Sequence, residues 1–239
     1  MLPPNAWLRW DTVTRRLPED AETLLEVGCG QGGFAVRLAS RYRYVGVEPD
    51  AESFAVARAR LGSTGDVRNG DLSTLDPDER FDVVCAFEVI EHIEDDGAML
   101  AEWADRLNPG GWLIVSAPAW QQRFAAWDEM VGHLRRYDPP DLVAKLRDIG
   151  LDDVEVTPFG APLGFALEAI RNRIAARRRG HEVAQSVEAR TAGSGRLLKP
   201  RSGAVAVAAY LGTFPFLQLQ RAFPNQGVGL VAVGRRSAA

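Results

Sequence analysis

Only two cysteines, Cys29 and Cys85, and three histidines, His92, His133 and His181, occur in the 239 residues. Two thiols make no disulfide framework, so packing alone has to hold the fold, and a reduced, cytoplasmic setting is expected. The opening residues, Met1 to Asn5, lack a basic segment followed by an apolar one, which argues against a secretory signal. No apolar run reaches the roughly 18 residues of a membrane span. The nearest approach, Gly203 to Phe223, contains Gly212 and Pro215 and is cut by Gln218, Gln220 and Arg221. Internal repeats and low-complexity tracts are absent as well.

What is present is an ordinary globular composition, 46% hydrophobic and 25% charged. The length suits one large α/β domain carrying an insertion. The net charge of −4 hides an asymmetry: residues 1–159 hold 16 basic against 29 acidic side chains, and residues 160–239 hold 12 against 3. The basic tail reads most simply as a solvated surface complementing an acidic body, with peripheral contact to an anionic membrane as the alternative. Aromatic residues are not interleaved with its arginines, which counts against single-stranded nucleic acid.

The chain is organised around Leu24 to Phe34, an apolar run ending in Glu26 and then four glycines, Gly28, Gly30, Gly32 and Gly33. That is a buried parallel strand feeding a tight turn and a helix start, where missing side chains let a ligand lie on the backbone and its N–H groups. A nucleotide-like occupant is expected. Gly28, Gly30 and Gly33 also satisfy G-x-G-x-x-G with Glu48 further on, so the turn alone leaves a dinucleotide open.

The spacing predicts helix over 5–17, strands at Thr23–Val27, Tyr44–Glu48, Asp66–Asn69, Phe81–Phe87 and Trp112–Ala117, and helices from 34, 51 and 95. Asn108 to Gly111 is expected to stop the helix from 95. Asp138 and two prolines predict a capped helix through Ile149, followed by a strand over Asp153–Phe159. A last strand is expected at Gly227–Gly234, after an insertion containing a helix over Leu163–Arg179 and the polar stretch His181 to Ser202. Strands alternating with helices imply a doubly wound sheet with its ligand across the carboxyl ends of the strands. Those ends carry Glu26 to Gly33, Glu48 and Pro49, Gly70 to Leu72, and Phe87 to His92. Asp71 taken alone is equally a turn or helix cap.

Taken together, these segments resemble the class I S-adenosylmethionine-dependent methyltransferases, over about residues 20–118. Leu24 to Gly32 matches the glycine loop, Val45 to Asp50 the acidic second strand end, Gly70-Asp71-Leu72 the adenine segment, and Leu107 to Ser116 the Pro-Gly-Gly turn with its strand. A short adjoining run, Trp127 to Tyr137, looks like the G-H-x-R-R-Y segment of many bacterial small-molecule members. The resemblance implies a Rossmann-like seven-stranded sheet whose last strand is antiparallel, between the fifth and sixth, after a helical insertion. It implies a core over 1–159, an insertion over 160–226 covering the substrate, and a closing strand and tail over 227–239. The implied cofactor is S-adenosyl-L-methionine, held by Glu26, Gly28, Cys29, Gly30, Gly32, Glu48, Pro49, Gly70, Asp71, Leu72, Phe87 and Glu88. Arg9 is expected to pair with the cofactor carboxylate while Trp7 and Trp10 close over the site, an ordinary amphipathic helix being the competing reading. Radical chemistry with this cofactor is excluded, since an iron–sulfur cluster needs more cysteine ligands than two.

Methyl transfer needs an aligned nucleophile and, for a hydroxyl, a proton acceptor. His133 is the first candidate base, with a structural histidine as the competing role, and His92 is the second; no metal is required. Arg135 and Arg136 either meet an acidic substrate group or pair with the acidic body. The expected protein is a monomeric or homodimeric methyltransferase of a small, partly apolar acceptor. Methylation of RNA or protein, or cofactor binding without turnover, are the alternatives.

Overall fold

The structure, a computed structural model, describes residues 2–178 and 203–238. Seven strands form one sheet in the order β3-β2-β1-β4-β5-β7-β6. They are β1 (Thr23–Val27), β2 (Arg43–Glu48), β3 (Asp66–Asn69), β4 (Phe81–Phe87), β5 (Leu107–Pro118), β6 (Leu151–Gly160) and β7 (Gly227–Arg236). The first five run parallel. β7 enters antiparallel between β5 and β6, as the family resemblance implies.

The period of two along each strand divides the apolar residues between the faces. Leu24, Val83, Cys85, Ile114 and Val231 join one core with Leu8 and Val13 of α1 (Pro4–Thr14), Leu38 of α2 (Ala35–Leu38) and Ala57 of α3 (Ala51–Leu61). Their neighbours Leu25, Val84, Ala86, Leu113 and Ala232 face the other core. There they meet Leu100 and Trp103 of α4 (Asp96–Asp105) and Leu142 and Leu146 of α6 (Pro139–Asp148). Both faces are covered, which is why β4 reads as a nearly continuous apolar run.

Asp82 fastens the amino ends of the central strands. Its Oδ2 accepts from the backbone N–H groups of Glu22 and Thr23 at 3.0 and 2.9 Å, and its Oδ1 from Asn108 Nδ2 at 2.8 Å. Partial burial would raise this carboxyl, but the hydrogen bonds from Asn108, Thr23 and Glu22 outweigh it and hold it at about 2.

Several expectations are corrected. Helix α1 ends at Thr14 rather than 17, and α2 is a single turn. Asn108 to Gly111 lies inside β5, because Leu107 already pairs with Phe81 across a register shift and Trp112 then pairs with Val83. Asp138 stands at the start of α6 but its side chain makes no capping bond. Between β5 and α6 lies α5 (Ala126–Val131).

The insertion contributes α7 (Leu163–Arg178) and α8 (Gly203–Leu219); His181 lies outside the described residues. α8 sits against α1, with the rings of Trp7 and Tyr210 4.6 Å apart. Just beyond it, the Gln220 side chain accepts from Gly160 N at 3.0 Å and donates to Leu8 O and Asp11 Oδ2 at 3.2 and 2.9 Å. Gln220 thus bonds the end of the insertion into the core. No helix among the described residues is long and apolar enough to cross a membrane.

Candidate active site

A cavity of about 1030 Å³ opens along the carboxyl ends of β1, β2 and β4 and runs under α7 to α5. Its size is at the top of the range for small-molecule sites, so it has room for more than one ligand.

One half is built by the glycine turn. Gly28, Gly30 and Gly32 have φ of +67°, +55° and +72°, a region that L side chains rarely adopt. At Gly30 a Cβ would meet nothing within 4 Å, so no protein packing requires its absence, and the turn lies open at the cavity wall. Glu48 Oε2 accepts from Gly30 N at 2.7 Å and Oε1 from Asp50 N at 2.9 Å, so the carboxylate closing β2 holds the turn in shape. Glu26, buried at the end of β1, accepts from the Tyr44 hydroxyl at 2.7 Å. Burial drives its carboxyl up to about 8; the Tyr44 bond opposes that rise and nearby Glu48 adds to it. Cys29 is buried and its thiol is pushed up by burial and by Glu26 and Glu48, which makes it inert as a nucleophile. These residues fit an adenosine-bearing cofactor: an open glycine backbone with a carboxylate two residues before it and another at the next strand end.

Glu88 joins the two halves. Its φ of +59° is uncommon for a residue with a side chain, and it occurs where β4 ends in the cavity. Ser116 Oγ donates to its Oε1 at 3.2 Å, its own N–H donates to Ser116 O at 2.9 Å, and Arg9 Nη2 lies 3.1 Å from Oε2.

The other half is a buried polar network around Asp128, the third residue of α5. His133 Nδ1 donates to Asp128 Oδ1 at 2.8 Å. Arg136 forks onto the same carboxylate, with Nε 2.9 Å from Oδ1 and Nη2 2.7 Å from Oδ2. Burial would raise Asp128, but the bonds from His133 and Arg136 dominate and hold it at about 2. Arg136 also reaches Glu168 on α7, which Arg123 holds from the other side. The His92 ring lies edge-on to that of His133, centroids 4.9 Å apart, and its Nδ1 donates to Gly132 O at 3.0 Å. Burial and the neighbouring His133 push His92 down to about 4, so it is neutral at pH 7. Glu91 is fully buried with neither carboxylate oxygen hydrogen-bonded, 3.7 Å from His133 Nε2. Burial and nearby Glu88 push its carboxyl well up. Ligand atoms of Glu91, His92 and His133 all lie within 4.8 Å of one another, a convergence that a reading assigning no metal does not foresee.

Of the residues expected from sequence, Arg9, Glu26, Gly28, Cys29, Gly30, Glu48, Pro49, Phe87, Glu88, His92 and His133 all border this cavity. Gly32, Gly70, Asp71 and Leu72 do not. A Cβ on Gly32 would press on Ala57 Cα at 3.2 Å, so that glycine serves helix packing. Asp71 is exposed and caps a short turn by accepting from Ser73 N at 2.9 Å, and Leu72 is buried in the core. Trp7 and Trp10 also stay off the cavity, Trp10 packing on Phe34 with ring centroids 4.9 Å apart; the start of α1, Leu2 to Ala6, lines it instead. Arg135 and Arg136 both pair with the protein's own carboxylates, Arg135 with Asp96 at 3.2 Å. Asp95 caps α4 through Ala98 N, while Asp96 holds Lys145 and Tyr137. Glu168 and Arg171 carry no sequence signal, since each meets its partners only through the tertiary fold; Asp128 stands only five residues before His133.

A family model described as a methyltransferase domain matches residues 6–156. The ubiquinone biosynthesis O-methyltransferase of Bradyrhizobium sp. (strain ORS 278) is 38% identical over 120 residues, 44% of this chain and 47% of that protein. The enzyme of the same name from Paramagnetospirillum magneticum is 34% identical over 151 residues, 56% of this chain and 61% of its own length. The chain thus spans about half the length of the curated relatives it matches. Phosphoethanolamine N-methyltransferase 2 of Haemonchus contortus, solved with S-adenosyl-L-methionine, superposes at TM-score 0.60 with 16% identity, covering 96% of this chain and 52% of that one. A possible histamine N-methyltransferase from Thermotoga maritima gives 0.57 and 20%, covering 95% and 87%; both likenesses concern the fold. With the strand order, the glycine turn and the match over most of the sheet agreeing, the chain belongs to the class I S-adenosylmethionine-dependent methyltransferase family.

Proposed function

We propose that the protein methylates an oxygen or nitrogen of a small-molecule acceptor, with His133 as the base that takes the acceptor's proton. The observation that carries this reading is the Asp128–His133 pair on the cavity wall. Because Nδ1–H is spent on Asp128, the lone pair of His133 sits on Nε2. Asp128 cannot itself take the proton, since Arg136 holds it ionised; its part is to fix the ring and favour the imidazolium that forms. Bound S-adenosylmethionine supplies the electrophilic methyl group. Gly28, Gly30, Glu26 and Glu48 hold its nucleoside, Arg9 its carboxylate, and α7 keeps water from the acceptor half. A cavity of about 1030 Å³ beneath α7 suits a small molecule better than an RNA or protein substrate.

Incubating the protein with methyl-labelled cofactor and small-molecule extracts tests the reading. Formation of S-adenosylhomocysteine with a labelled small product supports it, and tight cofactor binding without turnover on any extract points to a regulatory binder instead. The convergence of Glu91, His92 and His133 favours a second reading, in which these three hold a divalent cation that acidifies an acceptor hydroxyl. Loss of turnover in a chelator and its return with added magnesium, manganese or zinc would select that reading and remove His133 from the role of base.

A further inference from the structure

Arg171, on the face of α7 that covers the acceptor half, has its Nε buried without a hydrogen-bond partner. Its two terminal nitrogens reach only a neutral group, the Asn5 side-chain oxygen, at 3.1 and 2.7 Å with the amide turned to face them. The guanidinium stands 5.4 Å from the centroid of Trp127. Among the described residues no carboxylate lies within ion-pair distance of it, and those nearby are already held. Glu88 faces Arg9, Asp128 takes Arg136 and His133, and Glu168 takes Arg123 and Arg136. Among the described residues these three carboxylates face four arginines, while the fourth buried carboxyl, Glu91, is pushed well up by burial, and Arg171 is left without a counter-charge. A half-buried guanidinium without a counter-charge is costly, which is consistent with desolvation lowering its pKa.

We infer that Arg171 receives an anionic group of the acceptor, a carboxylate or a phosphate, paired with its planar fork while Trp127 backs the cation. This rests on reading the cavity as holding cofactor and acceptor together. The position favours the acceptor over the cofactor, because Arg171 contacts α5 and the start of α1 while Arg9, beside Glu88 and Phe34, stands nearer the glycine turn. A forked donor in a dry site prefers such anions to their neutral counterparts by about tenfold or more.

The test is calorimetry on protein saturated with S-adenosylhomocysteine, using benzoate, phenyl phosphate and neutral benzamide as probes. At least one anion should bind about tenfold tighter than benzamide, and which one does separates a carboxylate-bearing acceptor from a phosphate-bearing one. Arg171→Gln should abolish that preference and Arg171→Lys should keep part of it, both with unchanged S-adenosylhomocysteine affinity. No preference in the wild-type protein, including no binding of either anion at millimolar concentration, overturns the inference. So does a preference that survives in Arg171→Gln, or a parallel loss of S-adenosylhomocysteine affinity, which would give Arg171 to the cofactor. Normal S-adenosylhomocysteine binding to the wild-type protein keeps the cofactor reading intact in each case.

Discussion

His133 and His92 differ in what holds them, and the difference is measurable. Each donates Nδ1–H, His133 to a carboxylate and His92 to a backbone carbonyl. His133→Ala should reduce turnover by about 10²- to 10⁴-fold with little change in cofactor affinity. Equal turnover would leave it a structural residue. His92, depressed by burial and by the other ring, should titrate near pH 4 when its ring carbons are followed by NMR. A midpoint at the ordinary histidine value would mean that the site is wetter than described. Asp71 and Glu48 offer a parallel contrast. Asp71→Ala should weaken S-adenosylhomocysteine binding less than Glu48→Ala, because Asp71 caps its own turn while Glu48 shapes the glycine loop. The reverse order by calorimetry would return Asp71 to the adenine site.

Among the elements, the turn after β1 is the most sensitive to change. A methyl group at Gly28 would lie 2.8 Å from Val89 Cγ2 at a φ of +67°. Gly28→Ala should therefore cost about 1–2 kcal/mol of stability and weaken cofactor binding as well. Urea unfolding and calorimetry read the two effects separately. The bounds of β1 and β4 were readable in the sequence because each is an apolar run, and the start of α3 because Asp50 marks it, accepting from Ser53 N. The start of β5 was not, since Leu107 joins the sheet through a register shift that no local pattern records. The cofactor half of the site was legible because carboxylates and glycines at strand ends stand in sequence order. Of the acceptor half, His92, His133 and Arg136 stood out in the sequence, whereas Glu168 and Arg171 join them only when α5 and α7 come together. The insertion stood out by its length; α7 lines the cavity through Leu167, Glu168, Ile170 and Arg171, whereas none of the described residues of α8 borders it.

For the whole molecule, pH acts on stability in two windows. Glu26 is protonated in the folded, cofactor-free protein up to about 8 and ionised above its ordinary 4.5 in the unfolded chain. Folding takes up a proton across that window, so stability should fall as pH rises through it. Asp82 and Asp128, held at about 2 against an ordinary 3.8, act in the opposite sense: their contribution is complete above 3.8 and lost as pH falls through about 2. Urea titrations at constant ionic strength should show the decline toward pH 8, and Glu26→Gln should flatten it. A decline of the same slope in that variant would assign it elsewhere.

The place of β7 also governs the order of assembly. β6 bonds to the sheet only through β7, so the strand that leads into α7 has no permanent neighbour until residues 227–236 arrive. On the ribosome, β1 to β5 can pair as they emerge, with the nucleoside-binding loop among them. The wall bearing Glu168 and Arg171 must wait for later synthesis, so a nascent chain would be competent for its cofactor before it could select an acceptor.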